Sequence, residues 1–280
     1  MKLLVEVSNK NNLDMNCNGL ILPLKDFSME SIISFNIEEI ENISKKYNKE
    51  IFVKINRNLF NKDISIIKKI LIKLDKLNIK GIFFYDLAIL QLVKELNLDI
   101  DLIWNQTHMV NNYKTCNYYY SKGVKYALLG KELTLKEIKE IIKLSKINCM
   151  VEVISKPSIA VSHRHLITNY YQDLGKKSTN KLQIKENISN LKLNLIEDYN
   201  GTSFFLDTIT NGTTIIKDLY EVNCPYIIIR EYGIDNFREL VSDTMKYING
   251  DCKNNNYIKK YQKLGDSTNF FFKKTIYKVK

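Results

Sequence analysis

Between residues 51 and 152 the hydrophobic positions of the chain follow a repeating unit of two kinds of segment. A short run rich in β-branched or aromatic residues breaks into polar residues, and a segment with helical period leads to the next run. The runs and their polar ends are IFVKIN with Asn56, GIFFYD with Asp86, DLIWNQ with Asn105 and Gln106, YALLG before Lys131 and Glu132, and CMVEV with Glu152. Strands that alternate with helical segments predict βαβ units and a parallel sheet.

Flanking segments bring the number of predicted strands to eight. KLLVEV at 2–7 and GLILPL at 19–24 supply two strands before the repeat, and PYIIIREYG at 225–233 supplies one after it. Capping signals mark the helices, for example Thr134 with Glu137 three residues on. We therefore expect an α/β protein with a parallel (β/α)8 TIM-like barrel, formed by residues 1–155 and 223–250. Such barrels place their active sites at the carboxyl ends of the strands.

A segment with a different pattern interrupts the barrel at residues 156–222. KLQIKEN and LKLNLIEDYNGTSFFLD alternate with period two, and Asn200-Gly201 is a strong hairpin signal. This predicts a small β-rich insertion between barrel strands seven and eight, at the rim where the active site is expected. Residues 251–280 form a polar tail that closes on FFFKKTIYKV, for which we predict one further strand.

Composition places the chain among soluble globular proteins. Its 280 residues are 45% hydrophobic and 26% charged. We expect no membrane association, because no apolar run reaches the roughly 18 residues that span a bilayer. The amino-terminal MKLLVEV is typical of a first strand rather than a signal peptide. Five scattered cysteines without a CxxC pair indicate reduced thiols, so we expect a cytoplasmic protein.

The formal charge of +11 has two interpretations that the sequence leaves open. Neutralising phosphates with basic residues gives strong binding to nucleic acid. However, only four of the 42 basic residues are arginine, and lysine, asparagine and isoleucine are all abundant, as codon bias in an AT-rich genome would produce. Arg57, Arg164, Arg230 and Arg238 are therefore the more informative basic residues.

Charged residues at the predicted strand ends are candidates for chemistry. We expect Glu6, Asp86, Glu132, Glu152, Arg230 and Glu231 to meet at the barrel mouth. Clustered carboxylates can serve acid–base catalysis or hold a cation, and they can equally form structural ion pairs. Both interpretations stay open at this point.

The sequence Ser162-His163-Arg164-His165 is the densest local cluster of functional side chains. In a strand, His163 and His165 would share one face and could ligate a metal. A polar binding loop is the favoured interpretation, because no HExxH motif is present and the third histidine, His108, lies in another unit. We therefore predict no metal site. Neither a P-loop nor a GxGxxG motif occurs.

Several of these segments together resemble peptidase family U-32, the collagenase-like proteases. The resemblance is carried by NLDMNCNGLILPLKDFS, IFVKINRNLFNKD, GIFFYDLAILQLVKEL, NQTHMVNNY, GVKYALLGKELTLKEIKEI and MVEV. The family's pattern falls here on Phe27-Ser28, Asn56, Asp86, Asn111-Asn112 and Lys131-Glu132-Leu133-Thr134. The match covers most of residues 1–175 and the closing FFFKKTIYKVK.

The family's own signature follows a glutamate on the seventh strand and usually contains two cysteines. Here Ala160 and His165 stand approximately where those cysteines would be. Such cysteines are ligands in relatives that hold an iron–sulfur cluster, so we predict that this chain has no cluster of its own and no other cofactor. Relatives act in hydroxylation of RNA bases or of quinone precursors, and the chain shows no set of peptidase residues.

From the resemblance and the pattern we predict a cytosolic protein that assists modification of tRNA or rRNA bases, with hydroxylation as the expected chemistry. RNA and a longer family paralogue are the expected partners. Two alternatives stay open: a metal-assisted peptidase built on Glu152, His163 and His165, and a binding module without catalysis. The candidate catalytic residues are Glu152, Arg164 and Asp86, with Glu152 expected to orient the Arg164 guanidinium or to act as a base beside it. The candidate substrate-binding residues are Asn56, Asn112, Glu132, Ser162, His163, His165 and Arg230.

Overall fold

The computed structural model describes residues 1–77, 79–106, 108–188, 190–265 and 270–272. Within these ranges the strands are β1 Lys2–Glu6, β2 Gly19–Pro23, β3 Glu50–Ile55, β4 Gly81–Phe84, β5 Asp101–Trp104, β6 Tyr126–Leu128, β7 Asn148–Ser155, β8 Ser158–Ser162, β9 Lys181–Lys185, β10 Lys192–Asp198, β11 Gly201–Leu206, β12 Thr210–Asn211 and β13 Tyr226–Arg230. The helices are α1 Ile37–Lys46, α2 Asn61–Asp75, α3 Leu87–Glu95, α4 Tyr113–Ser121, α5 Leu135–Leu144, α6 Leu166–Asp173, α7 Ile216–Glu221, α8 Phe237–Asn249 and α9 Asn254–Tyr261.

Strands β1 to β7 and β13 form a closed parallel barrel. Each of β1 to β6 pairs with the next strand, β13 pairs with both β7 and β1, and the ring has no free edge. Helices follow the strands around the outside, as expected for βαβ units. The predicted (β/α)8 TIM-like barrel is therefore confirmed.

Side chains that alternate along each strand build two separate cores. One set points outward and packs against the helices, in a large cluster that includes Val5, Val53 and Trp104. The other set fills the barrel interior with Leu4, Ile21, Phe52, Phe83, Ile103, Leu128, Met150, Tyr226 and Ile228. Because both faces of the strands are buried, the strands are almost continuously apolar.

Helix caps occupy the rim at the carboxyl ends of the strands. Capping boxes form at Asn36 with Glu39 and, as predicted, at Thr134 with Glu137. Asp86 caps α3 and Asn112 caps α4, each by accepting backbone N–H groups through its side-chain oxygen. Polar residues after the strands therefore serve two purposes, since some cap the next helix and others face the barrel mouth.

The β-rich insertion between the seventh and eighth barrel strands is confirmed. It contains a four-stranded antiparallel sheet in the order β8-β11-β10-β9, separate from the barrel sheet. Strands β10 and β11 form the hairpin predicted at Asn200-Gly201. Helix α6 lies between β8 and β9, and its helical pattern was not recognised in the sequence. Strand β12 then pairs antiparallel with β7 and returns the chain to the barrel.

The tail contains a helix for which the sequence analysis made no prediction. Residues 254–261 form α9, whose Tyr257 is buried and hydrogen-bonds with Thr244 of α8. Phe270, Phe271 and Phe272 lie in a turn, and the rest of the predicted FFFKKTIYKV strand lies outside the described residues. Phe271 is buried, and its carbonyl accepts a hydrogen bond from the Leu135 backbone at the start of α5. No helix in the described part of the chain is both long and apolar enough to cross a membrane.

Candidate functional site

Buried charged side chains from four barrel strands meet at the carboxyl-end mouth. Glu6 ends β1, Lys54 lies near the end of β3, Glu152 lies in β7 and Arg230 ends β13. Lys54 Nζ lies 2.6 Å from Glu6 Oε1, and Arg230 NH1 lies 3.3 Å from Glu6 Oε2. Arg230 Nε lies 2.6 Å from Glu152 Oε2. We call these four side chains the mouth cluster.

Loops after the strands add further partners to the mouth cluster. Lys131, which follows β6, places its Nζ 3.4 Å from Glu152 Oε1. Ser155 donates a hydrogen bond of 2.5 Å to the same oxygen, and Ser31 donates one of 3.3 Å to Glu6 Oε1. Glu152 therefore has two cations and a hydroxyl around a carboxylate that is almost removed from solvent. Buried charges are tolerated when they are paired in this way.

The electrostatics of the mouth cluster keep Glu152 ionised. Burial alone would raise the pKa of Glu152, but Arg230, Lys131 and Ser155 together lower it to about 2. Burial lowers the pKa of Lys54 to about 8, although the Glu6 carboxylate opposes that shift. The paired carboxylates outweigh burial at Arg230 and raise its pKa. Near neutral pH, Glu152 is thus a permanent anion, whereas Lys54 can release a proton within the physiological range.

Glu30 joins the site from the loop after β2. Its backbone adopts a left-handed conformation with φ of 57°, and its N–H donates to Ser203 Oγ of the insertion at 3.1 Å. Asn56 accepts a hydrogen bond from the Met29 backbone at 2.9 Å, and its Nδ2 lies 3.5 Å from Glu30 Oε2. Burial would raise the pKa of Glu30, but the cations Lys131, Arg230 and Lys54 lower it. The barrel rim and the insertion are therefore linked at this loop.

A cleft of about 100 Å³ opens beside Glu30, between the rim and the insertion. The rim contributes Met29, Glu30, Asn56, Asn58, Tyr85 and His108, and the insertion contributes Ser158, Ile159, Ala160, Val161 and His163. Amide, phenol, imidazole and carboxylate groups thus face apolar side chains across a narrow gap. A few convergent polar groups in a mainly apolar recess are a feature of small-molecule sites, although this recess is smaller than most of them.

The structure brings some of the predicted site residues together and separates others. Glu152 and Arg230 are in direct contact, and Asn56 and His163 line the cleft. Asp86 lies at the rim, but its two oxygens accept backbone hydrogen bonds from Ala88 and Leu59, so it holds the α2 and α3 ends in place.

Three further polar residues of the predicted rim lie outside the mouth cluster. Asn112 is exposed and caps α4, and Glu132 is exposed, 3.9 Å from His108 Nδ1. Glu231 accepts hydrogen bonds from the Ser8 and Asn9 backbones, which fixes the loop after β1. Of the carboxylates expected to meet at the mouth, Glu6 and Glu152 therefore do so, because they lie within the strands rather than in the loops that follow.

The Ser162–His165 segment is a loop rather than a strand with two histidines on one face. Strand β8 ends at Ser162, whose Oγ accepts a hydrogen bond from the Arg164 backbone. His163 is exposed. His165 directly precedes α6, and its Nδ1 lies 3.8 Å from Oε1 of Glu197 in β10. Glu152 is paired with Arg230 and Lys131, so the expected contact between Glu152 and the Arg164 guanidinium is absent from the described ion pairs.

Among the residues that the sequence analysis did not identify are two charged residues of the site. Lys54 stands inside the apolar run IFVKIN, and a lysine at that position of a fully buried strand is itself a signal for a buried ion pair. Lys54 lies two residues after Phe52 on the same strand, so its side chain points to the same side as Phe52, toward the barrel interior. Glu30 has no comparable signal, because its place in the site depends on a left-handed loop conformation.

The cysteines do not fit an iron–sulfur cluster, which would need a set of neighbouring thiolates. Cys116 and Cys149 form a side-chain hydrogen bond and Cys224 donates to the Cys149 carbonyl, but all three are buried, and burial raises the pKa of the Cys224 thiol and so opposes the thiolate form. Cys17 is buried elsewhere, and Cys252 is partly buried. Among the described residues, no three His, Cys, Asp or Glu side chains stand close enough to hold a metal. Ala160 and His165, which replace the expected ligands, lie on β8 and in the loop after it.

The fold agrees with comparison to known proteins. The model of peptidase family U32 matches residues 19–229, which include most of the barrel and the whole insertion sheet. The chain belongs to peptidase family U32. A solved structure of a U32 peptidase superimposes with a TM-score of 0.50 at 11% identity, covering 83% of this chain and 94% of that one. At this identity the superposition supports the fold alone.

Two U32 relatives differ in how much of their length they share with this chain. The tRNA hydroxylation protein P2 of Bacillus subtilis is 25% identical over 267 residues, covering 84% of this chain and 83% of that protein. An uncharacterized protease of Methanocaldococcus jannaschii is 28% identical over 170 residues, covering 58% of this chain. The chain spans 41% of the length of that second relative.

Proposed function

We propose that this U32 protein takes part in the hydroxylation of tRNA. The observation that carries the proposal is the similarity to the tRNA hydroxylation protein P2, which extends over more than four fifths of both chains. A similarity of that extent involves most of the chain rather than one short segment.

The geometry of the cleft supports a role in holding a base. Its rim presents the Asn56 and Asn58 side chains, whose amides can donate to and accept from the edge of a nucleobase. Tyr85 and the apolar residues of β8 offer surfaces for the face of the same base. Enzymes that modify bases take the base out of its stack and read it in such a recess.

The mouth cluster supports the proposal through its charge. Glu152, Glu6 and Glu30 face Lys54, Lys131 and Arg230 at the end of the barrel where catalysis occurs in this fold. Lys54, with its pKa lowered to about 8, is the group in the cluster best suited to exchange a proton near neutral pH. Glu152 and Arg230 hold the geometry around it. In this proposal Asp86 and Asn112 act through the loops that they cap.

The remaining parts of the proposal concern partners and setting. We infer that the protein binds tRNA directly in the cytoplasm, and that a longer cysteine-bearing member of the family supplies any redox centre. The second inference follows from the cysteines, since the positions at which relatives carry ligands read Ala160 and His165. Arg164 remains a candidate for contact with an anionic ligand, because its guanidinium is exposed beside the cleft.

Nucleoside mass spectrometry tests the proposed function. Bulk tRNA from a strain lacking this gene should lose nucleosides that carry one additional oxygen atom. Re-expression of the wild-type chain should restore them, and re-expression of a Glu152→Gln/Arg230→Gln variant should not. The variant must be present at wild-type abundance in the same cells. Unchanged hydroxylated nucleosides in the deletion strain would refute the proposed function.

A further inference from the structure

Apolar and aromatic side chains are exposed next to the cleft, on both of its sides. Phe60, at the start of α2, is 50% exposed, and Ile159 and Val161 of β8 are 40% and 47% exposed. The rings of Phe60 and His163 meet edge to face, with centroids 5.7 Å apart. This contact joins the barrel rim to the insertion. We call Phe60, His163, Ile159 and Val161 the lip of the cleft.

The fold itself does not require these side chains to be apolar. Phe60 occupies the N-cap position of α2, where serine, threonine, aspartate or asparagine would normally be preferred. The Asp63 carboxylate accepts a hydrogen bond from the Phe60 backbone N–H, but the Phe60 side chain caps no backbone group of the helix. Strand β8 is an edge of the insertion sheet, a place where exposed apolar residues invite unwanted pairing. Exposed apolar side chains at such a position mark a binding surface.

The loop that carries His163 and Arg164 is held rigidly while the side chains stay exposed. Thr202 Oγ1 donates a hydrogen bond of 2.9 Å to the Arg164 carbonyl, and Ser162 Oγ accepts from the Arg164 N–H at 3.1 Å. Gly201 lets the backbone of this loop approach closely, since a Cβ there would lie 2.0 Å from the Ser162 oxygen. A fixed backbone reduces the entropy lost when the side chains bind a ligand.

Arg164 differs from the other arginines of the chain. Arg57 pairs with Asp63, Arg230 with Glu152 and Arg238 with Asp14. The Arg164 guanidinium is exposed and has no ion pair among the described residues. A planar guanidinium that no internal carboxylate occupies is suited to bidentate contact with a phosphate.

The large positive charge of the chain does not by itself locate a nucleic-acid site. Lysines stand in the last turns of α1, α2, α3, α5 and α8. In a β/α barrel these turns lie at the end opposite the mouth, where a cation interacts favourably with the helix dipole. Any preference of the lip for RNA therefore depends on its own aromatic pair and apolar edge and on the neighbouring Arg164 guanidinium.

We propose that the lip binds single-stranded RNA beside the cleft, with one base stacked on the Phe60 ring next to His163 and the adjacent phosphate held by Arg164. The inference rests on the proposed function, which supplies tRNA as the RNA, and it names the surface that recognises an unpaired loop. Proteins read single-stranded RNA by stacking bases on aromatic side chains and arginine planes. A peptide strand added to β8 would use the apolar residues but not the Phe60–His163 pair or Arg164.

Binding of a synthetic RNA stem–loop with unpaired loop bases tests the lip, with fluorescence anisotropy of the dye-labelled RNA as the measurement. The variants are Phe60→Ala, His163→Ala and Arg164→Ala, and the matched control is Tyr220→Ala, an aromatic residue of α7 that is 59% exposed. One stacked base corresponds to roughly a 5- to 100-fold change in affinity, so Phe60→Ala should weaken binding by that factor. Tyr220→Ala should leave the affinity unchanged.

Two further measurements separate stacking from phosphate contact. The first uses a set of RNAs, each lacking a different loop base. Phe60→Ala should no longer reduce the affinity for the RNA that lacks the stacked base. Arg164→Ala should reduce the slope of log affinity against log salt by about 0.7, as expected for one phosphate on a single strand. Phe60→Ala should leave that slope unchanged, because the phenyl ring carries no charge.

The possible results separate failure of the proposed RNA binding by the lip from failure of the proposed function. Equal affinities of the Phe60→Ala, His163→Ala and wild-type proteins would overturn the lip, as would absence of wild-type binding to the stem–loop. Either result leaves the proposed function to be decided by the nucleosides of the deletion strain. Competition of the RNA by an apolar β-strand peptide with no effect of Arg164→Ala would show that the edge of β8 binds a protein partner instead.

Discussion

Glu152→Gln is the substitution whose effect on stability follows most directly from the structure. The change keeps the size of the side chain and one oxygen for the Ser155 hydroxyl, but removes the negative charge between Arg230 and Lys131. Breaking a buried ion pair by removing one partner costs about 3 to 5 kcal/mol. We therefore expect the free energy of unfolding to fall by about 3 kcal/mol near neutral pH.

The pKa of Glu152 leads to the same magnitude and predicts a dependence on pH. It is lowered from 4.5 to about 2 in the folded protein, and each pKa unit corresponds to about 1.4 kcal/mol. Because the folded-state pKa lies below the unfolded-state value, the stabilisation is complete above pH 4.5 and is lost as pH falls toward about 2. The stability difference between wild type and variant should therefore shrink in acid.

Urea unfolding followed by circular dichroism, at about pH 7 and at steps down to about pH 3, measures this difference. Glu132→Gln is the control, since Glu132 lies on the same rim but its side chain is 63% exposed. It should change stability by less than about 0.5 kcal/mol. If Glu152→Gln were as stable as wild type at neutral pH, or if its deficit did not shrink in acid, the mouth cluster would not be a set of tightly paired buried charges.

Three further predictions address the rest of the site. The pKa of Lys54 is lowered from 10.5 to about 8 in the folded protein. The free energy of unfolding of wild type, relative to Lys54→Met, should therefore rise by up to about 3 kcal/mol as pH rises from about 8 toward 10.5. Urea unfolding measures this difference, and a value that stays constant with pH would contradict the lowered pKa. Gly201→Ala should destabilise the insertion and increase proteolysis of the 158–206 sheet, because its Cβ would collide with the Ser162 oxygen; an unchanged digestion pattern would refute the close contact. Anaerobic reconstitution should yield no stoichiometric iron and sulfide, and a stable coloured cluster would show the cysteine argument to be wrong.

The barrel could be predicted from the sequence because its signals are local. Period-two and helical segments alternate from 51 to 152, and each strand shows its burial as a continuous apolar run. The capping residues Asn36 and Thr134 and the hairpin at Asn200-Gly201 lie within a few residues of the structure that they stabilise. Similar local polar signals identified Glu152 and Arg230 as mouth residues, since both lie at the carboxyl end of a strand.

The contacts within the mouth could not be predicted, because they depend on which strands become neighbours in the closed barrel. Arg230 contacts Glu152 and Glu6 because β13 lies between β7 and β1 in the barrel. The three residues are far apart in the sequence. In that arrangement the Glu152 carboxylate pairs with Arg230 and Lys131, and Arg164 stays exposed.

The cleft likewise exists only in the tertiary structure, since it forms where the insertion folds back over the rim. Glu30 reaches it through a left-handed loop held by Ser203, and Phe60 becomes part of the lip through its contact with His163. Local sequence determined the elements and the end of the barrel at which polar residues gather. Long-range packing alone decided which of those residues pair with one another and which remain exposed, because pairing depends on distances between elements that are far apart in the chain.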